Sequence, residues 1–328
     1  MMRPSLTILL AVFAVALAVP ALVAGTPGEA AFALTQRSDA GALPLASPSE
    51  AAAVTCEACL PQSVPALDPQ AARPLSLRMP RPDFAVRAKA AALYDATCDR
   101  LVYGLNEHQP APPASLTKML TALVAVDLAP DPDRAVAVNV SGSYMMETTG
   151  SSVMGLEPGM QVTLRDLVYG LILPSGNDAA VALAEALAGS QAAFVDLMNA
   201  RAAALGLTES RFANPHGLDD DGLYASAYDM VRLGIAMMRN PVLAEIAGAV
   251  QYAPSYGGKA MRNSNKFPLL YAGGFGVKIG FTDNAGHAIV AAAERDGRQL
   301  FVSVLGAGNF YEDAIRLLDW GFANAPRC

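Results

Sequence analysis

The sequence predicts an α+β domain. Three observations carry that prediction: two short apolar runs flanking a turn near residues 91–103, helical periodicity from residue 115 to about 238, and a change to period two over residues 276–305. Strands that flank a helical block place the two ends of the folded region in one antiparallel sheet. Taken in order, residues 91–95 and 100–103 flank a turn at 97–99 and read as a hairpin. Residues 115–128 follow Pro112-Pro113, which suits a helix start. They carry Met119, Leu120, Leu123, Val124 and Val126 with little polar relief, so this helix is expected to be buried on most sides. Residues 164–173 and 179–188 form two further helices around Pro174-Ser175-Gly176-Asn177, and 192–205 and 228–238 extend the block. Strands at 276–282, 287–294 and 299–305 form a meander with Asp296-Gly297 at one turn. A last helix over 311–322 places Ile315, Leu318 and Phe322 on one face.

Composition narrows the function. Of the 328 residues, 53% are hydrophobic and 16% charged, enough apolar material for at least one packed core. The net charge of −7 and pI near 5.0 provide no basic field for a polyphosphate, so nucleic acid is not expected as a partner. Part of the mean hydropathy of +0.30 comes from the N-terminus. There Arg3 precedes an apolar run from Leu6 to Val23, broken only by Thr7 and Pro20, and then the small residues Ala24 and Gly25. That order predicts a secretory signal peptide over residues 1–24, with Ala33 as a second cleavage position. An uncleaved anchor is the alternative, since about eighteen residues can just cross a bilayer as a helix. Residues 25–82, rich in Ala, Pro and Ser, read as a linker and 83–325 as the folded domain. Four cysteines fit an oxidising, periplasmic or extracytoplasmic compartment. Cys56 and Cys59 stand alone as C-x-x-C and suit a local disulfide or no function, while Cys98 and Cys328, near the two ends of the folded region, are expected to pair.

Several chemistries drop out. The three histidines, His108, His216 and His287, are widely separated and form no H-E-x-x-H, so no metal is expected. There is no G-x-S-x-G and no phosphate-binding glycine loop. A serine–lysine arrangement remains. Ser115-Leu116-Thr117-Lys118 places a hydroxyl and an amine one helical turn apart on one face. A lysine that burial and a nearby cation keep neutral can act as the base for such a serine. Ser175-Gly176-Asn177 and Lys278-Ile279-Gly280 follow in the chain.

S-x-x-K, S-x-N and a K-x-G in this order resemble the serine D-alanyl-D-alanine carboxypeptidases, the low-molecular-mass penicillin-binding proteins. Asn214-Pro215-His216-Gly217-Leu218-Asp219 and Gly280-Phe281-Thr282 extend the likeness, which covers about residues 84–322. The resemblance implies a β-lactamase/transpeptidase-like fold. It also implies removal of the terminal D-alanine from peptidoglycan stem peptides ending in D-Ala-D-Ala, with no cofactor and with β-lactams as acylating inhibitors. It assigns Ser115 as nucleophile, Lys118 as base and Ser175 as proton relay to the leaving amine. Asn177 would hold the substrate amide and position Lys118; Lys278, Gly280 and Thr282 would bind substrate; the N–H groups of Ser115 and Phe281 would form the oxyanion hole. His216 is read as a hydrogen-bonded residue of a turn. The family's K-T-G has a hydroxyl where this chain has Ile279, which predicts reduced carboxypeptidase activity. A D,D-endopeptidase and a weakly active muropeptide- or penicillin-binding regulatory module are the alternative readings. None of Glu185, Glu209 and Glu245 opens an E-x-x-x-N, so rapid β-lactam hydrolysis is not expected. The sequence after the resembling region ends at Cys328, so membrane attachment is expected only through an uncleaved N-terminal segment.

Overall fold

The computed structural model describes residues 81–328. The expected signal, nearly all of the expected linker and the Cys56/Cys59 pair lie outside the described residues. The chain runs β1 (Ala90–Asp95), β2 (Arg100–Leu105), a 3₁₀ turn (Ala114–Thr117), α1 (Lys118–Leu128), β3 (Ala135–Ala137), α2 (Gly142–Thr149), β4 (Gln161–Thr163) and α3 (Leu164–Ile172). It continues with α4 (Asn177–Ala188), α5 (Gln191–Ala204), α6 (Ala227–Arg239), α7 (Pro241–Gly248), β5 (Gln251–Tyr252), β6 (Met261–Arg262) and α8 (Phe267–Leu270). Three strands and a helix close it: β7 (Gly274–Thr282), β8 (Gly286–Arg295), β9 (Arg298–Ala307) and α9 (Phe310–Asn324).

The architecture is α+β. A five-stranded sheet in the order β2-β1-β9-β8-β7 is antiparallel throughout. Strand β1 lies against β9 with Ala91 opposite Val304, so the two ends of the folded region do share one sheet. Both faces of that sheet are covered. The two-residue period of a strand sends Ala90, Ala92 and Tyr94 into the core beneath the helical block, and Ala91 and Leu93 into a second core under α9. Strand β8 divides the same way, Val290 and Ala292 to one core and Ile289 and Ala291 to the other. Asp296 and Gly297, both at positive φ (51° and 73°), turn β8 into β9 as the hairpin geometry requires.

Helix α1 is buried from Lys118 through Ala125, in line with its nearly uninterrupted apolar pattern. Helix α4 begins at Asn177, two residues before the apolar pattern indicates, because Gly176 takes the N-cap position. The periodicity did not reveal α2, α7, α8 or the two small ribbons β3–β4 and β5–β6. These elements are two to eight residues long, too short for a period to register.

The C-terminal end is stapled to the first hairpin. Cys98 and Cys328 form a disulfide. Beside it, fully buried Asp95 accepts from Arg298 Nε and Nη2 at 2.9 and 2.6 Å, and from the Thr97 and Cys98 backbone N–H groups at 3.1 Å each. Arg298 also donates to Ala325 O at 2.8 Å. Replacing Asp95 by Ala leaves a buried guanidinium without its counter-charge. The expected loss is about 3–5 kcal/mol of unfolding free energy, read from urea melts; a loss below about 1 kcal/mol, the size of a surface pair, would contradict this account.

Candidate active site

Ser115 sits in the 3₁₀ turn just ahead of α1, and the backbone around it is packed from two sides. A Cβ on Gly280 of β7 would stand 2.9 Å from Ser115 N, and one on Gly217 would clash with Ala114 O. Glycine at both positions lets two separate segments close on the serine. Gly217 also has φ +89°, which independently favours glycine there.

Lys118 Nζ lies 2.8 Å from Ser115 Oγ and donates to His216 O at 2.6 Å. The lysine is fully buried. Burial first, and then the neighbouring Lys278 ammonium, hold its pKa well below the ordinary lysine value, against a smaller opposing pull from Asp178. A neutral amine can give one N–H to the His216 carbonyl and keep its lone pair for the serine proton.

Ser175 occupies the left-handed region (φ +62°), which a serine adopts at a cost of order 1 kcal/mol. Lys278, buried at 1% exposure, donates to Ser175 Oγ and to Ile279 O, both at 2.9 Å. Desolvation brings its pKa down to about 7. Two pairs result, Ser115 with Lys118 and Ser175 with Lys278; the two serines line a cleft of about 690 Å³, together with Asn177, Gly280, Phe281 and Thr282, and the lysines are buried behind them. Strand β7 is the edge of the sheet, so one rim of its backbone has no strand neighbour.

Two of the expected substrate-binding residues also hold partners within the chain. Asn177 bonds to Ser151 rather than to Lys118: its Nδ2 donates to Ser151 Oγ at 2.7 Å and its backbone N to Ser152 O at 2.8 Å. As the first residue of α4, it faces the turn at 149–152. Thr282 lines the cleft, but its hydroxyl donates to Asp219 Oδ1 at 2.7 Å and accepts from Ala285 N at 3.1 Å, so it ties β7 to the loop after His216. His216 is a turn residue: Leu218 N donates to its Nδ1 at 3.2 Å, and burial, then Lys118, lowers its pKa to about 4. Among the described residues no group of three or more His, Cys, Asp or Glu is placed to hold a metal.

Sequence reasoning missed Ser151 and the carboxylate of Asp178. Asp178 is fully buried and accepts from the backbone N–H groups of Met154, Gly155, Leu156 and Ala179, each at 2.9 Å. It thereby fixes the loop that presents Ser151 to Asn177. Its place directly after Ser175-Gly176-Asn177 was the available signal; Ser151, 26 residues before Asn177, left none.

Residues 77–309 match the family described as D-alanyl-D-alanine carboxypeptidase. The D-alanyl-D-alanine carboxypeptidase DacF of Bacillus subtilis is 31% identical over 247 residues, covering 74% of this chain and 64% of the relative. The D-alanyl-D-alanine carboxypeptidase DacA of Escherichia coli is 37% identical over 254 residues, 72% and 61% respectively. The chain thus spans less than two thirds of the length of these two relatives. The crystal structure of the D-alanyl-D-alanine carboxypeptidase from Mycobacterium tuberculosis is similar with a TM-score of 0.69 and 32% identity, over 78% of this chain and 97% of that one.

The two lysines make a pH signature. Lys118 must be neutral to take the Ser115 proton, so acylation of Ser115 by an electrophilic probe falls as pH drops through the lowered Lys118 pKa. A cation beside an amine disfavours protonation, so Lys278→Met raises the Lys118 pKa and moves this acid limb to higher pH, whereas Lys278→Arg leaves it low. An acid limb that stays in place in Lys278→Met would break the electrostatic link between the two residues.

Proposed function

The chain belongs to the D-alanyl-D-alanine carboxypeptidase family, and on that premise we propose that it removes the terminal D-alanine of peptidoglycan stem peptides through an acyl-enzyme on Ser115. The observation that carries the reading is the 2.8 Å approach of a buried, charge-depleted Lys118 amine to Ser115 Oγ. Ser115 Oγ attacks the carbonyl carbon of the penultimate D-alanine while its proton passes to Lys118. The Ser115 and Phe281 N–H groups hold the developing oxyanion, on either side of the gap that Gly280 leaves open. The departing amine takes a proton from Ser175, whose hydroxyl is resupplied by Lys278 at 2.9 Å. Passage of the Lys118 proton to the Ser175–Lys278 pair resets both lysines. Water then attacks the ester, gives its proton to Lys118, and Lys118 returns it to Ser115.

Lys278 and Asn177 would orient the substrate in the cleft, and β-lactams would acylate the same serine. The charged, apolar and small-residue order of the first 25 residues supports export to the compartment that holds this substrate.

Mass spectrometry after treatment with penicillin tests the acyl-enzyme. Wild type is expected to gain one penicilloyl mass and Ser115→Ala none; an unlabelled wild type overturns the reading. At the third motif, Ile279→Thr restores a hydroxyl for the substrate carboxylate. A charge-assisted hydrogen bond of about 1.5–3 kcal/mol raises kcat/KM for a D-Ala-D-Ala peptide by roughly one to two decades, and unchanged turnover would remove position 279 from carboxylate recognition.

A further inference from the structure

The cleft has an unusual wall beside its third motif. Ile279 presents hydrocarbon where a hydroxyl is expected, and it packs toward the core under α9. Beyond it the lining is aromatic: Phe281 lies 4.6 Å from His287, His287 5.1 Å from Phe310, and Phe310 4.2 Å from Tyr311, centroid to centroid. The Lys278 ammonium is buried beneath this wall, with two of its three donor positions taken by Ser175 and Ile279 O. A carboxylate entering from solvent therefore meets little fixed positive charge in the third motif itself.

One other cation faces the space. Lys266 is the single exposed lysine or arginine among the described residues that line the cleft. Its backbone N donates to Tyr311 Oη at 3.0 Å, and among the described residues no carboxylate pairs with its ammonium. Its place in the cleft is set by the segment that carries it. Ser264 donates from both N and Oγ to Leu173 O at 2.9 Å, two residues before Ser175. Buried Asn265 accepts from Phe267 N at 3.0 Å, and Lys266 itself is tied to the aromatic wall through Tyr311. Residues 264–266 thus bridge the loop of Ser175 and the start of α9.

We propose that Lys266 binds the terminal carboxylate of the substrate, supplying from the same cleft the contact that the Ile279 side chain cannot make. This rests on the D,D-peptidase reading above. A long, exposed ammonium selects charge without the geometry of a strand hydroxyl, so recognition of the free acid depends on ionic strength.

The test uses one peptide ending in D-Ala-D-Ala, prepared as the free acid and as the carboxamide. Turnover of both by the full chain is compared, and so is their binding to a Ser115→Ala background by calorimetry. The acid is expected to be preferred. Lys266→Ala is expected to lower the acid-to-amide ratio about three- to tenfold in both assays, as for a solvent-facing ion pair with an anion, and Lys266→Arg to retain it. Lys266 is exposed, so folding of these variants is not the variable. A ratio that is the same in Lys266→Ala overturns the proposal even where turnover is normal. If the chain turns over neither peptide, but acid preference in the Ser115→Ala background disappears with Lys266, then the reaction falls and the carboxylate site stands.

Discussion

A lysine taken fully out of water beside a second lysine cannot keep its proton easily, and the chemistry proposed for this molecule depends on that fact. Lys118 is enclosed by its own helix, by the His216 turn and by β7, and its amine faces Ser115 with Lys278 as the nearest like charge. Were the same serine and lysine on an exposed helix, the amine would stay charged and the hydroxyl inert. In the proposed reaction, enclosure turns a common spacing into a base and a nucleophile.

That enclosure has a thermodynamic cost with a defined sign. The folded-state pKa of Lys278 lies near 7, below its unfolded value of 10.5, so between those limits the unfolded chain binds more protons than the folded one. Stability therefore rises with pH across that window: the cost of burying the charged amine is fully present below about 7 and is lost as pH climbs toward 10.5. The surrounding structure offsets it with a sheet buried on both faces, a largely apolar α1 and the Asp95–Arg298 staple.

Much of this was legible in the chain. The hairpin of β1 and β2, the alternation in β7 to β9, the apolar run of α1 and the turn at Asp296-Gly297 each follow from local periods and turn chemistry that any neighbourhood would respect. The Ser115–Lys118 pair was legible because three residues of helical spacing already bring the two groups together. Ser151 bonding to Asn177, the four N–H groups on Asp178, and the tie from Lys266 to Tyr311 were not. Their partners are 1 to 45 residues apart with no shared period, and short elements such as α2 and α8 carry too few residues to show one.

The amino-acid order by itself determined which residues alternate, which turn, and which hydroxyl lies one turn from which amine, because those relations are set by backbone geometry over a few residues. Only the tertiary structure decided that Lys278 reaches Ser175 across 103 positions, that Gly217 and Gly280 close on one backbone, and that Lys266 faces the same cleft as Ile279. Those relations depend on how sheet and helices pack, and desolvation, which lowers the Lys118 pKa, is a property of the packed whole rather than of any segment.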